Sequence, residues 1–152
     1  MLTDRTPPGR LLAAGSQAVS PETAFVLEAD DARFLTEIGM LAAGRGDVRH
    51  ADTIFHALRR LRPERAYPVV GLAVARLNAG RANDAVRLLE DAVLADPQER
   101  AVVRAWCGLA LQLAGRSAES LRVLAEAAAL PGEGGSLARQ MLGQAGAVPT
   151  DA

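Results

Sequence analysis

The chain has no lysine: all seventeen basic residues are arginines. Against eighteen acids they leave a formal net charge of −1, so nothing global draws the protein to nucleic acid or an anionic membrane. A single cysteine, Cys107, excludes an intrachain disulfide framework and any fold stapled by one. Aromatic residues amount to 3%, too few to interleave with the arginines as a base-stacking surface. No apolar run approaches the roughly 18–20 residues of a membrane span. Catalytic signatures are missing too: no P-loop, no dinucleotide glycine fingerprint, no His-Glu-x-x-His and no paired cysteines. The sequence therefore predicts no enzyme, no cofactor and no metal site. What remains is a chain of 152 residues, 49% apolar and rich in Ala and Leu, the composition of one domain of closely packed helices.

Those helices come in copies. Gly46 recurs as Gly80, Ala51 as Ala85 and Pro63 as Pro97, an offset of 34 residues. A third copy follows at 35: Gly80 to Gly115, Leu89 to Leu124, Ala92 to Ala127. Each copy reads as helix, turn, helix. The first helices are expected at 32–43, 67–78 and 101–114, and the second at 48–61, 82–94 and 117–129, with apolar residues at helical spacing. Turns fall at the glycines, and Pro63, Asp96-Pro97 and Pro131 close the units 32–65, 66–100 and 101–131.

Residues 1–20 carry Pro7, Pro8, Gly9 and Gly15 with no sustained period and read as a flexible leader. Ser20-Pro21-Glu22 has the form of a helix start, so residues 21–31 are expected to form an arm with a short helix over 21–28. Asp30 and Asp31 then supply negative charge at the start of the first repeat. Gly132 to Gly135 reads as a flexible break. Ser136 would cap a last helix, 137–142, closing the apolar side of the third repeat, with a frayed tail over 144–152.

Small residues recur where paired helices must approach: Gly39, Ala73 and Gly108 in the first helices, Ala51, Ala85 and Ser120 in the second. Phe55, Leu89 and Leu124 are the large residues that plug toward the next repeat.

At these positions the chain resembles tetratricopeptide repeats, whose period is 34. The resemblance covers residues 32–131 and implies an all-α, right-handed solenoid of three helix-turn-helix repeats with a C-terminal capping helix. A narrower resemblance is carried by Phe34-Leu35-Thr36-Glu37-Ile38-Gly39 followed by His50-Ala51-Asp52-Thr53-Ile54. This looks like the needle-subunit branch of the small chaperones of bacterial type III secretion systems; the translocator branch is similar but usually richer in Tyr and Phe. The resemblance implies a cytoplasmic bacterial protein that shields a secreted subunit, with a small co-chaperone. The alternative is a generic repeat scaffold that pairs with a second copy or joins another bacterial assembly.

The same resemblance places ligand contacts on the first helix of each repeat. Carried onto this chain they are Arg33, Thr36, Met40 and Ala43; Tyr67, Val70, Val74, Leu77 and Asn78; and Val102, Ala105, Leu109 and Gln112. Relatives that grip carboxylate tails resemble one another in having Lys, Asn and Arg at such places, so that clamp is not expected here. A mostly apolar strip suits an amphipathic helix or an extended hydrophobic segment. The leader could itself occupy the groove.

Three remaining features have bland readings beside functional ones. His50 and His56 lie six apart on one helix, about 240° around its axis, and do not converge on a metal. Cys107, beside Trp106 and Gly108 in an apolar helix, reads as a structural thiol. Arg59, Arg60, Arg62 and Arg65 are either favourable charge at a helix C-terminus or a patch for an acidic partner or nucleic acid.

Overall fold

The computed structural model describes residues 28–146. Among them are seven helices and no strand: α1 Ala29–Gly44, α2 Val48–Leu61, α3 Tyr67–Asn78, α4 Ala82–Glu90, α5 Pro97–Leu113, α6 Ser117–Ala128 and α7 Glu133–Gly146. The expected leader over 1–20, the helix over 21–27 and the tail beyond residue 146 lie outside the described residues; Glu28 is extended, and residues 29–31 begin α1 rather than end an arm.

Local signals fix most ends. Asp30 and Asp31 stand in the first turn of α1. Asp47 caps α2 by accepting the His50 N–H at 3.2 Å. Within each pair the turn is the same. Gly46, Gly80 and Gly115 have φ of 67°, 75° and 77°. Their N–H groups return to Ala43, Leu77 and Gln112, and the next N–H groups to Ala42, Arg76 and Leu111. That double bond pattern satisfies the last carbonyls of a helix and requires the left-handed residue that glycine supplies without strain.

Consecutive helices pack together, and each odd-numbered helix also touches the next odd one: α1 on α3, α3 on α5, α5 on α7. The odd helices thus share a layer. The core is correspondingly divided into three clusters, centred on Phe55 and Leu72, on Leu89 and Leu111, and on Leu124 and Ala138. Phe55 is fully buried between two glycines. A Cβ on Gly39 of α1 would stand 2.9 Å from its ring, and one on Gly71 of α3 would overlap it. A Cβ on Gly108 would likewise overlap Leu124. Ser120, fully buried, donates its hydroxyl to the Gly108 carbonyl at 2.7 Å.

Two boundaries correct the sequence reading. The second connection lies four residues earlier than expected: α4 ends at Glu90, not residue 94, and α5 begins at Pro97, not residue 101. Pro97 does not close a helix; it occupies the first turn of α5 behind Asp96, which accepts the Gln98 N–H at 2.8 Å. A capping acid followed by proline is a strong helix start, so residues 91–96 must make the chain reversal. Leu94 turns inward while Val93 is left 91% exposed. The Arg100 guanidinium donates to the freed carbonyls of Leu94 and Ala95 at 3.0 and 2.6 Å.

The second correction concerns Gly132 to Gly135. Only Gly132, at φ 90°, acts as a turn. Gly134 and Gly135 are helical and buried in the first turn of α7. A Cβ on Gly134 would strike the Ala101–Val102 backbone, and one on Gly135 the Leu130 carbonyl. These glycines permit close approach, and Ser136 lies inside the helix, accepting from Arg139 at 3.0 Å rather than capping.

Candidate functional site

The layer of odd helices carries the residues expected to contact a ligand, and packing sorts them. Ala43 and Ala105 are 0% exposed and Val70 is 7% exposed. Ala43 belongs to the first core cluster; Ala105 lies with Leu124, Ala127 and Ala138 in the cluster shared with α7. These three are core, and the two alanines are small where neighbouring helices press. Val74, Leu77, Val102 and Leu109 are half-buried, and Met40 and Gln112 are exposed. Asn78, also exposed, has a structural engagement: its amide donates to the Ala43 carbonyl at 3.0 Å, tying α3 to the end of α1.

The structure brings Arg33, Thr36 and Tyr67 together at the N-terminal ends of α1 and α3. They line a recess of about 370 Å³ with Ala29, Ala32 and the loop residues Arg62, Glu64 and Arg65. The Thr36 hydroxyl donates within α1, to the Ala32 carbonyl at 2.7 Å. Arg65 is held by Glu99 at 3.1 Å, and the other Glu99 oxygen accepts the Ala66 N–H at 2.6 Å. The arginine cluster is therefore split. Arg62 and Arg65 join this recess, whereas Arg59 and Arg60 flank a shallow surface hollow with His56, Pro63 and Val93.

A second cleft, of about 490 Å³, opens between α4, α5 and α6. Its apolar floor includes Leu89, Leu94, Val103 and Cys107, and an Arg104–Glu126 ion pair stands at its wall. Burial, and then the charge of Glu90, push the Cys107 thiol up to about 11, which leaves it protonated and unreactive at neutral pH. The sequence offers no sign of this cleft, because it depends on α4 ending early.

Charge is also periodic. Arg81 pairs with Asp84 at 2.7 Å and Arg116 with Glu119 at 2.6 Å, each at the start of an even helix. These hydrogen bonds hold both carboxyls below their ordinary range. In the first pair of helices the place is taken by Asp47 and His50, 2.6 Å apart. Here the His50 backbone bond, then its ring, lower the Asp47 carboxyl. Between α2 and α3, Arg76 meets Asp52 through two contacts, one at 3.0 Å. Among the described residues no three His, Cys, Asp or Glu side chains gather as metal ligands, and no helix is long and apolar enough to cross a membrane.

Searches against protein-family models, curated proteins and solved structures found no match for this chain.

Proposed function

We propose that this protein is a non-catalytic binding module, a right-handed tetratricopeptide solenoid that receives a hydrophobic or amphipathic segment of another protein along its odd-numbered helices. The observation that carries the reading is the shared layer of those helices, with Met40, Val74, Leu77 and Leu109 left partly exposed on it. The partner we propose is a type III secretion needle or translocator subunit, held in the bacterial cytoplasm before export, with a small co-chaperone. The motif around Leu35–Ile38 and Ala51–Ile54 favours the needle branch. Burying the partner's amphipathic helix would remove the surface by which it self-assembles. About 600 Å² of apolar contact at about 25 cal/mol/Å² gives a gross gain near 15 kcal/mol, most of it offset by ordering the partner. A releasable complex results.

One observation favours a second reading, a self-associating scaffold. Phe34, Ile38 and Leu41 lie on one face of α1 and are 62%, 38% and 64% exposed. Capture of the tagged protein from its native cells, with native mass of the recovered complex, separates the two. A stoichiometric small secreted subunit, lost with Met40→Glu and Leu109→Glu, is expected. Recovery of a homodimer alone would replace the chaperone reading with the scaffold.

A further inference from the structure

The recess at the head of the odd-helix layer differs in chemistry from the strip beyond it. Three arginines line it, Arg33, Arg62 and Arg65, with one acid, Glu64. Arg65 is committed to Glu99, whose side chain is only 19% exposed. The Arg33 link to Glu37 is 3.3 Å long between largely exposed groups, and such a pair is easily exchanged. Among the described residues Arg62 makes no ion pair, yet it is half-buried against the recess wall. Ala29, Ala32 and Tyr67 complete its lining. One turn beyond Thr36 on α1 stands Met40, and two turns beyond Tyr67 on α3 stands Val74. Among the described residues Arg62 is thus the one recess arginine without a carboxylate partner, and it stands at the head of an apolar strip.

We infer that this recess takes a carboxylate side chain of the bound segment, so that the partner is an acidic amphipathic helix lying with its acidic turn against Arg62 and Arg33. Arg62 comes from the connection between repeats, so the contact is not built on first-helix residues alone. The chain's net charge of −1 supplies no general attraction for an acidic peptide, so selectivity must come from the recess. The inference rests on the binding reading above.

Two synthetic amphipathic helical peptides with one Leu/Val face test it, one with Glu on a terminal turn and one with Gln there. Binding is measured by titration calorimetry with the full chain, Arg62→Glu and Met40→Glu, at low and high salt. The Glu peptide should bind the full chain roughly three- to tenfold more tightly at low salt, the range of one or two exposed ion pairs. Arg62→Glu should abolish that preference without changing affinity for the Gln peptide, which also reports that the variant is folded. Met40→Glu should weaken both peptides alike. Equal binding of both peptides, or a preference that survives Arg62→Glu, overturns the recess and leaves the groove. Binding of neither peptide overturns both. A preference that emerges only when residues 1–27 are deleted gives the recess to this chain's own N-terminal segment and overturns an external partner there.

Discussion

Gly71→Ala should destabilise this protein although alanine is the better helix former. Gly71 lies in the middle of α3 at a negative φ, so the backbone accepts alanine and propensity alone would add about 1 kcal/mol. The new methyl, however, would overlap Cζ, Cε1 and Cε2 of Phe55. The ring cannot slide toward α1, because Gly39 is already so close that its own Cβ would stand 2.9 Å away. Either α3 moves off α2 or the ring leaves its rotamer, an overpacking cost of about 1–3 kcal/mol that belongs at the upper end when both walls are backbone. The net expectation is a loss of about 1–2 kcal/mol. Two further glycines calibrate it. Gly44→Ala meets nothing within 4 Å and should gain up to about 1 kcal/mol. Gly80→Ala also meets nothing, but at φ 75° it should lose about 1–2 kcal/mol to backbone strain. Urea titrations followed by far-ultraviolet circular dichroism and Trp106 fluorescence measure all three. The cost of Gly71→Ala should also shrink in a Phe55→Leu background, since the two residues share one volume. A Gly71→Ala protein as stable as wild type, or stabilised like Gly44→Ala, would refute the clamp.

Other consequences are independent of that contact. With its pKa near 11, Cys107 is roughly 0.1% thiolate at pH 8 against about a quarter for a free thiol. Its reaction with a disulfide reagent should be at least about a hundredfold slower in the folded chain than in urea, and equal rates would contradict its burial. Asp84 and Glu119 have folded pKa values held down by Arg81 and Arg116. Their contribution to stability is therefore present above the ordinary carboxylate range and is lost as pH falls below about 4 toward the depressed values. Urea midpoints should drop over that interval, and Asp84→Asn with Glu119→Gln should lower the neutral midpoint and flatten the drop. An unchanged slope in the double variant would show that these pairs do not matter to acid stability.

Where a helix end is written in neighbouring residues, the sequence was readable. Val48–Leu61 and Tyr67–Asn78 match their expected bounds because an aspartate cap, a proline or a turn glycine stands within two or three residues of the ends. Two misreadings have one cause, a residue type with two uses. Pro97 can end a helix or begin one, and the preceding Asp96, whose side chain accepts the Gln98 N–H, decides for the start. Glycines 134 and 135 can be a hinge or a close contact, and the choice depends on Ala101 and Leu130, far or unmarked in sequence. The candidate site shows the same division. Periodicity identified the helices that form the layer, and the expected contact strip on them came from the resemblance to tetratricopeptide repeats. It could not separate Met40, which is exposed, from Ala105, which α7 and α6 enclose. Nor could it bring Arg62 beside Arg33, since that needs the path of the α2–α3 connection.

Among the described residues the outer helices of the assembly are α1 and α7, and their outer faces differ. At the α7 end, Leu137, Met141 and Leu142 turn onto Leu124 and Ala127, while Ser136, Arg139 and Gln140 face water. A terminal helix whose apolar side is buried against its neighbours has a polar face left for solvent. At the α1 end the pattern reverses: Ala32, Gly39 and Ala43 are buried toward α2 and α3, and Phe34, Ile38 and Leu41 point away from them. Three large apolar side chains on one exposed face cost more than scattered ones, because together they form a contiguous patch. The proposed recess and the exposed apolar face thus both lie on α1 and adjoin near its N-terminus. One face carries the recess residues Ala32, Arg33 and Thr36; another carries Phe34, Ile38 and Leu41. A partner that covered the apolar face would lie beside Arg33, so its occupancy and the charge preference of the recess should be coupled rather than independent.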